Sequence, residues 1–347
     1  MKANKWSVIS ATAILAITGV STGNAGSTMA RADSATMKRI GFVQIDLSNP
    51  FHVAEVRGAQ EAARRLGFTL LVRSGDGDVQ KQVAAFEGLI NDKVDAIAVN
   101  AIDINAFAAA LAKAKDAGIP VVSEHTFTPL AAVTLGFSEY ATGQAVGVQA
   151  ASLLKKRYGK YQGTVAILQG LLGQGLNATR TGGFVDALKK YPNIKVVAKE
   201  PTNWDPQKAS SITENFLTKY PKLDMIYGIS DSLTLPAYTV VKRHGKTKQV
   251  ILVSVDGTKD GIDGVTAKKL SSTFLYAPEY SGFWKAWTPW RLAMGQKLPA
   301  TIDMSGVLVT GANVAKVAKL ANDISVDIEN FPFEKSLPQI YKIYAAK

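Results

Sequence analysis

Short apolar runs alternate with longer amphipathic stretches along the chain from about residue 38 to residue 255. This alternation is typical of βαβ units, in which buried parallel strands are covered by helices. The first series predicts strands at 40–45, 69–73, 96–100 and 121–123. Helices are predicted between them at 49–66, 79–91 and 104–117. The second series predicts helices at 143–158, 177–191, 206–219 and 233–244. Each is followed by a predicted strand, at 164–169, 195–199, 225–228 and 251–255. The sequence therefore predicts an α/β fold of two doubly wound lobes.

The residues that follow these predicted strands are rich in polar and aromatic side chains. In open parallel sheets, ligands bind beyond the carboxyl ends of the strands. The positions concerned are 46–51, 124–125, 170–177, 204–205, 230–231 and 256. We therefore expect a site for a small polar molecule where these segments meet.

The first 32 residues differ from the rest of the chain. Lys2 and Lys5 precede an apolar run at 8–20, and Ala- and Ser-rich sequence follows up to Ala32. This order is typical of a secretory signal peptide, and the apolar run is shorter than the ~20 residues of a membrane-spanning helix. We predict a signal peptide at 1–32 and export of the protein, with an uncleaved membrane anchor as the alternative.

Composition narrows the class of protein. The chain has 347 residues, of which 47% are hydrophobic and 20% are charged, which fits a soluble globular protein of two lobes. It has no cysteine, so disulfides and thiolate chemistry are excluded. The formal net charge is +12, but the lysines are spread along the chain and the longest basic cluster covers only 155–157. We interpret that cluster as a solvated helix end and predict no binding to nucleic acid.

Four short segments carry a resemblance to a known family. They are 45–51 after the first strand, 118–122 before Glu124 and His125, 168–170 before Asn177 and Arg180, and 255–258. In order and spacing they resemble the ribose-binding branch of the type I periplasmic sugar-binding proteins of ABC importers, over about residues 38–310. The resemblance implies two Rossmann-like lobes with parallel sheets, joined by a three-segment hinge. The implied N-terminal lobe is 38–138 plus 277–304, and the implied C-terminal lobe is 139–276 plus 305–347.

The resemblance also implies how the protein works. Two lobes close on a monosaccharide or polyol in the periplasm and deliver it to the membrane permease of an ABC importer, and in some relatives also to a chemoreceptor. The implied protein is a monomer without cofactor or metal. Carried over position by position, the ligand contacts are Asn49, Phe51, His52, Glu124, His125, Asn177, Arg180, Trp204, Ser230, Asp256 and Tyr276.

Some of these positions depart from the ribose-binding pattern. His52 stands where ribose binders have a second aromatic residue, and Glu124 with His125 stands where they have an Asp-Arg pair. Ser230 replaces an asparagine, and Tyr276 replaces a glutamine. The usual pocket arginine falls near Ala178, two positions before Arg180. The ligand is therefore left open among a pentose, a hexose, a polyol and a sugar-derived signalling molecule.

The candidate residue types suit a sugar, which has apolar C–H faces and a girdle of hydroxyls. Phe51 and Trp204 are assigned to the faces, and the carboxylate, amide and guanidinium groups to the edge. Each assignment has a structural alternative: Asn49 as a helix cap, Trp204 as a core residue and Asp256 as part of a turn. Three further aromatic residues at helical spacing are predicted to pack in the core: Trp284, Trp287 and Trp290.

Two rival functions are disfavoured by the sequence. An exported glycosidase would use Glu124 and Asp256 as paired carboxylates, but the three histidines lack zinc-ligand spacing and no Gly-x-Ser-x-Gly elbow is present. A sugar-responsive transcription factor carries a helix-turn-helix before the first strand, where this chain has its export signal. The glycines of 170–175 match neither a dinucleotide motif nor a P-loop, and we expect them to shape a loop of the cleft.

Overall fold

The computed structural model describes residues 37–345, so the predicted signal peptide at 1–32 lies outside the described residues. Numbered in chain order, the strands are β1 (Arg39–Gln44), β2 (Thr69–Ser74), β3 (Ala96–Val99), β4 (Val121–Glu124), β5 (Val133–Gly136), β6 (Gly163–Gln169), β7 (Ile194–Pro201), β8 (Met225–Gly228), β9 (Ile251–Val253), β10 (Ser272–Leu275), β11 (Thr301–Asp303) and β12 (Val307–Thr310). The helices are α1 (Pro50–Leu66), α2 (Val79–Asn91), α3 (Ala108–Asp116), α4 (Glu139–Tyr158), α5 (Gly175–Leu188), α6 (Pro206–Lys219), α7 (Asp231–Arg243), α8 (Lys259–Thr266), α9 (Pro278–Ala293), α10 (Val314–Val326) and α11 (Leu337–Ala345).

Each of two six-stranded sheets forms the centre of one lobe. The first has the order β11-β5-β4-β3-β1-β2, and all of its neighbouring strands are parallel. The second has the order β12-β10-β9-β8-β6-β7, and only β10 with β12 is antiparallel within this sheet of the described chain. The chain passes between the sheets three times, after β5, after β10 and after β11. The predicted α/β class is confirmed, and the lobe boundaries to the residue stay a prediction.

The ends of helix α1 show how local sequence positions the site. Asn49 is extended, and its side chain accepts a hydrogen bond from the N–H of Phe51, while Pro50 starts the helix where no N–H is needed. At the other end Gly67 adopts a left-handed φ of 69° and its N–H donates to a carbonyl of the last turn. Phe51 and His52 therefore lie in the first helical turn, directly beyond the carboxyl end of β1.

The structure differs from the predicted elements at several places. Helix α4 begins at Glu139, four residues before the predicted start at 143, and α5 ends at Leu188, three residues before the predicted end at 191. Three further differences have a clear physical reason. The helix predicted at 104–117 begins as a 3-10 turn, Ile104–Phe107, in which the Asp103 side chain accepts a hydrogen bond from the N–H of Asn105. Strand β5 has only four residues, too few for their alternation to stand out from the surrounding turns. Strand β12 is antiparallel because the chain crosses directly from the end of β11 and so enters the second sheet from the cleft side.

Helix α9 packs against α1 and against the C-terminal segment. The three tryptophans of α9 are half-buried and pack on the core, as predicted. Trp284 Nε1 donates to the carbonyl of Phe333 at 2.8 Å, and the ring of Phe283 stacks on Phe333 with 4.3 Å between centroids. Arg65 of α1 lies 5.0 Å from the same fully buried Phe333 ring. No helix within residues 37–345 has the length and apolar character needed to cross a bilayer.

Candidate functional site

A cavity lies between the carboxyl ends of the two sheets. The space between its walls, with the part open to solvent included, is about 410 Å³. The first lobe lines it with Ile45, Asn49, Phe51, His52, Asn100 and His125. The second lobe lines it with Gln174, Leu176, Arg180, Trp204, Ser230 and Asp256. The structure thus brings eight of the eleven predicted contact residues to one cavity that both lobes share.

Trp204 forms one wall of the cavity. Its indole Nε1 donates to Oε1 of Gln174 at 2.9 Å. Its ring lies directly against Gly170, where an added Cβ would stand 2.2 Å from the indole carbon Cζ2. Any other residue at position 170 would therefore displace the ring. The loop at 170–175 shapes the cleft in this way, in agreement with the expectation from its glycine spacing.

The start of α1 supplies a second wall. Asp46 Oδ1 accepts a hydrogen bond from the backbone N–H of Asn49 at 2.7 Å, and Asp46 Oδ2 lies 3.2 Å from Nδ1 of His52. Burial alone would raise the pKa of Asp46, but the hydrogen bonds and the charge of His52 hold that pKa below its usual range. The Oδ1 of Asn49 caps the helix by accepting a hydrogen bond from the N–H of Phe51, and its amide NH₂ is a donor at the cavity wall.

Asp256 and Arg180 form a buried pair in the second lobe. Arg180 Nη1 lies 3.2 Å from Asp256 Oδ1 and also donates to the carbonyl of Ile229 at 2.5 Å. Ser230 Oγ donates to Asp256 Oδ2 at 2.5 Å. Burial raises the pKa of Asp256, and the Arg180 guanidinium opposes that rise. Because both side chains are fixed by protein partners, they present preorganised hydrogen-bonding groups to the cavity.

Glu139, the first residue of α4, joins both lobes and is not among the predicted residues. Its Oε2 accepts hydrogen bonds from Arg180 Nε at 2.6 Å and from the Tyr276 hydroxyl at 2.8 Å. Its Oε1 lies 3.0 Å from His125 Nδ1. Burial would raise the pKa of Glu139, but Arg180 and His125 lower it to about 2. One carboxylate therefore positions two cationic side chains that line the cavity from opposite lobes.

The side chain of His125 is 4% exposed and is held between two carboxylates. Its Nε2 lies 3.3 Å from Glu124 Oε1, and its Nδ1 faces Glu139. Burial would lower the pKa of His125, but the two carboxylates outweigh burial and raise the pKa from 6.5 to about 10. The imidazole is therefore cationic at neutral pH, and both ring nitrogens carry hydrogens.

The cationic state of His125 predicts how stability changes with pH. Its pKa is raised in the folded protein, so the stability it contributes is complete below about pH 6.5 and is lost as the pH rises towards 10. We expect the free energy of unfolding to fall by about 2 kcal/mol between roughly pH 7 and pH 9, as measured by urea denaturation. His125→Gln should remove most of this decline, and a flat wild-type profile over the same range would contradict the assignment.

A second charged cluster lies behind His125. The Nζ of Lys285 is fully buried, 2.5 Å from Oε2 of Glu124 and 3.8 Å from Oε2 of Glu55. The Ser281 hydroxyl is 2.8 Å from Glu55 Oε1 and 3.1 Å from Glu124 Oε1. Burial and the charge of Glu124 raise the pKa of Glu55 to about 7. Burial would also raise the pKa of Glu124, but Lys285 and His125 keep it well below the usual range, so Glu124 is ionised beside His125.

Three of the residues that line the cavity have left-handed backbone conformations. The φ angles are 60° at His125, 62° at Trp204 and 107° at Asp256. A non-glycine residue in this region costs of order 1–3 kcal/mol, so the surrounding structure must enforce it. Strain of this kind concentrates at functional sites, which supports a functional role for the cavity.

Three predicted contact residues lie behind the cavity wall instead of lining it. Glu124 faces Lys285, as described above. Asn177 Oδ1 accepts a hydrogen bond from the N–H of Gly170 at 3.0 Å and so holds the glycine loop. Tyr276 is fully buried and donates to Glu139. These contacts give the three residues supporting positions, and direct contact with a ligand stays a prediction for them.

Four lining residues are not among the eleven predicted contacts, although two of them lie in the predicted segment 170–177: Ile45, Asn100, Gln174 and Leu176. Asn100 directly follows β3, and the rule that ligands bind beyond strand ends is the signal that could have found it. Gln174 and Leu176 belong to the glycine loop, where the sequence does not show which side chains turn inward. Ile45 is an apolar residue that the strand pattern assigns to the sheet.

The sequence matches the family model of the periplasmic binding protein domain over residues 40–297. The chain belongs to this family. The xylitol-binding protein of Mycolicibacterium smegmatis is 31% identical to it, over 74% of this chain and 72% of that protein. The ribose import binding protein of Bacillus subtilis is 28% identical, over 76% and 84% of the two chains. The predicted family is confirmed, and family membership implies a location in the periplasm.

Solved structures of periplasmic binding proteins share the two-lobed fold. An ABC transporter solute binding protein from Mycobacterium smegmatis with bound glycerol has a TM-score of 0.77 at 27% identity, over 81% of this chain and 97% of that chain. A periplasmic solute binding protein from Actinobacillus succinogenes with bound D-allose has a TM-score of 0.75 at 27% identity, over 80% and 99%. The predicted class, a solute-binding protein in a family of binding proteins, is confirmed.

Proposed function

We propose that this periplasmic binding protein captures an uncharged monosaccharide or polyol between its lobes and delivers it to the membrane permease of an ABC importer. The observation that carries the proposal is the cavity that both lobes line. Phe51 and Trp204 offer flat apolar surfaces for the C–H faces of a sugar. Asp256 and Arg180 offer charged hydrogen-bonding partners for its hydroxyls, and such bonds are about twice as strong as neutral ones.

The charge balance of the cavity supports an uncharged ligand. The cationic side chains Arg180 and His125 in its wall already lie within 3.3 Å of carboxylates, and the imidazole of His52 lies 3.2 Å from Asp46. A sugar acid or an amino sugar would bring a charge of its own into the site. The charged side chains that could neutralise it are already paired with one another. Moving such a charge out of water without a partner is costly. Relatives named for ribose, allose and xylitol support the same ligand class.

Closure around the ligand supplies the transport mechanism. A ligand that contacts Phe51 in one lobe and Trp204 in the other binds the closed form more tightly than the open form, and so shifts the population towards closure. The permease then receives the closed, loaded state. A chemoreceptor as a second partner and a monomeric state in solution belong to the same proposal.

Catalytic activity is not part of this proposal. A glycosidase needs one carboxylate as an acid and another as a base or nucleophile beside the scissile bond. Glu124 is instead paired with Lys285 behind the cavity wall, and Asp256 is paired with Arg180. These contacts fix both carboxyl groups against protein partners, which suits binding and support.

A thermal-shift screen against monosaccharides and polyols tests the proposed ligand class. A ligand present at about 100 times its dissociation constant stabilises the folded protein by about 2.7 kcal/mol, which should raise the melting temperature by several degrees. We expect at least one uncharged sugar or polyol to produce this shift, and sugar acids to produce none. If only charged molecules shift the melting temperature, the ligand class is wrong.

Two matched variants locate the ligand found in this screen. Asp256→Asn should weaken its binding about tenfold or more by calorimetric titration, because a charged acceptor becomes a neutral amide. Asp263→Asn, an exposed change on helix α8 of the same lobe, should leave the affinity unchanged. Equal affinities of the two variants would remove Asp256 from the site.

A further inference from the structure

The amino ends of the second lobe's strands, opposite the cavity, are surrounded by lysines. A basic segment precedes or begins each of the parallel strands β6 to β10, and the five segments are 155–160, 189–195, 219–222, 242–248 and 268–269. They contain fifteen Lys and Arg residues and no Asp or Glu. Helix carboxyl ends and strand amino ends share one end of a parallel α/β layer. We call these five segments the basic end.

Contacts bring the segments of the basic end together. The Arg157 guanidinium donates to the carbonyl of Lys248 at 3.3 Å, and Lys246 Nζ donates to the carbonyl of Pro221 at 2.8 Å. Arg157 also lines one surface cavity together with Lys268 and Lys269. The ring of Tyr161, next to the first segment, stacks on Tyr191 of the second with 4.1 Å between centroids. Lysines that are far apart in sequence therefore form one continuous surface.

The charges of the basic end are exposed and largely without counter-charges. Fourteen of the fifteen residues are exposed, and Lys246 is half-buried. Within residues 37–345, only two of the fifteen make an ion pair with a carboxylate: Lys189 with Asp186 at 2.8 Å, and Arg243 with Glu214. The excess positive charge of the chain is thus concentrated at this end of the second lobe.

The first lobe shows that the fold does not require such a surface. At the corresponding end of its sheet, Lys38, Arg64, Arg65 and Lys113 each pair with a carboxylate. Lys93 and Lys115 at the same end make no ion pair among the described residues, but Asp92, Asp95 and Asp116 lie beside them in the sequence. Cations are favoured at helix carboxyl ends by the helix dipole, but this effect acts on both lobes alike. The dipole therefore does not account for the difference between the lobes.

We propose that the basic end is a binding surface for an anionic phospholipid bilayer and holds the protein close to the membrane. A flat anionic surface contacts several segments at once, and each Lys or Arg near such a surface adds to the attraction. Thirteen of the fifteen cations are Lys, a hydrated point charge that suits diffuse attraction, whereas Arg suits bidentate contacts in protein interfaces. The proposal rests on the periplasmic location of the family and not on the identity of the ligand.

Binding of vesicles by sedimentation tests the proposal, with protein recovered from the periplasm and its N-terminus checked by mass spectrometry. We expect binding to vesicles with about 30% phosphatidylglycerol in phosphatidylcholine, and none to pure phosphatidylcholine. Raising the salt from about 50 mM to about 300 mM should release the protein, since the Debye length then falls below 8 Å. Equal binding to both lipid mixtures, or no binding at low salt, would overturn the proposal.

Two charge-matched triple variants separate the surface from the net charge. Lys156→Glu, Lys195→Glu and Lys248→Glu together should reduce the bound fraction at least about tenfold, whereas Lys93→Glu, Lys115→Glu and Lys297→Glu together should reduce it less than about twofold. All six lysines are exposed, so both variants should fold. The basic end is far from the cavity, so sugar affinity should stay unchanged in both.

The outcome of the variants is decisive in each direction. Equal losses in the two triple variants would show that net charge, and not the basic end, attracts the vesicles. Binding to a soluble acidic polysaccharide at a salt concentration at which vesicles stay unbound would assign the surface to a different partner. If glutamate substitution lowers the melting temperature, the corresponding Lys→Gln triple repeats the comparison without new negative charges.

Discussion

Replacing Arg180 with methionine should lower the free energy of unfolding by about 3–5 kcal/mol and abolish measurable ligand binding. Arg180 is 3% exposed and bridges Glu139, Asp256 and the carbonyl of Ile229 at 2.6, 3.2 and 2.5 Å. Methionine fills much of the same space, so the loss comes from two buried carboxylates that lose their shared cation. Urea denaturation and calorimetric titration at neutral pH measure the two effects.

Two control variants separate the charge of Arg180 from its geometry. Arg180→Lys keeps the charge but cannot contact both carboxylates and the carbonyl together, so an intermediate loss is expected. Lys189→Met, directly after helix α5, removes an exposed cation and should change the free energy of unfolding by no more than about 0.5 kcal/mol. An Arg180→Met protein as stable as the wild type would show that the buried pair does not hold the second lobe.

The fold is encoded strongly enough in the sequence to be predicted without a structure. Helix α2 has the predicted bounds because its apolar residues repeat with helical spacing over 13 residues, and strand β8 has them because all four of its residues are buried. Helix α6 begins as predicted at Pro206, after the Asp205 cap. Strand β5 and the 3-10 turn at Ile104–Phe107 were not predicted, since short elements depend on tertiary pairing more than on local pattern.

The site is only partly predictable, because a strand end fixes where a residue lies but not which way its side chain points. Glu124 and His125 are neighbours in sequence, yet Glu124 faces the core of the first lobe and His125 lines the cavity. Successive side chains of a strand point to opposite faces, and the chain leaves the strand at His125 with a left-handed φ of 60°. Nothing in the local sequence predicts that angle at a histidine, so both residues received the same assignment.

Residues that connect distant segments of the chain are even harder to predict from the sequence. Glu139 begins a helix, which is an ordinary position for an acidic residue, and only the folded chain brings it to both His125 and Arg180. The same reasoning applies to the basic end, whose lysines appear dispersed in sequence and converge only through the parallel topology of the second lobe.

Lys285 is the second residue whose replacement should have a large effect. Its Nζ is fully buried between Glu124 and Glu55, and it donates to the side chain of Gln44 at 3.3 Å. Lys285→Met should lower the free energy of unfolding by about 3–5 kcal/mol near neutral pH, because Glu55 and Glu124 then share a dry site that has lost its ammonium group and keeps His125 as the neighbouring cation. Urea denaturation of the variant and the wild type measures the difference.

The pH dependence of Lys285→Met distinguishes a charge effect from a packing effect. Glu55 already has a pKa raised to about 7 by burial and by Glu124, and losing the lysine raises that pKa further and also raises the pKa of Glu124 from its lowered value. A raised carboxyl pKa means that stability increases as the pH falls, so the variant should recover part of its loss at about pH 5.5. Adding Glu124→Gln should restore stability at neutral pH in the same way. The loss in free energy of unfolding could instead be constant with pH and unaffected by Glu124→Gln. In that case the Lys285 side chain stabilises the protein by packing, and its charge does not support the ionised state of Glu124 beside His125.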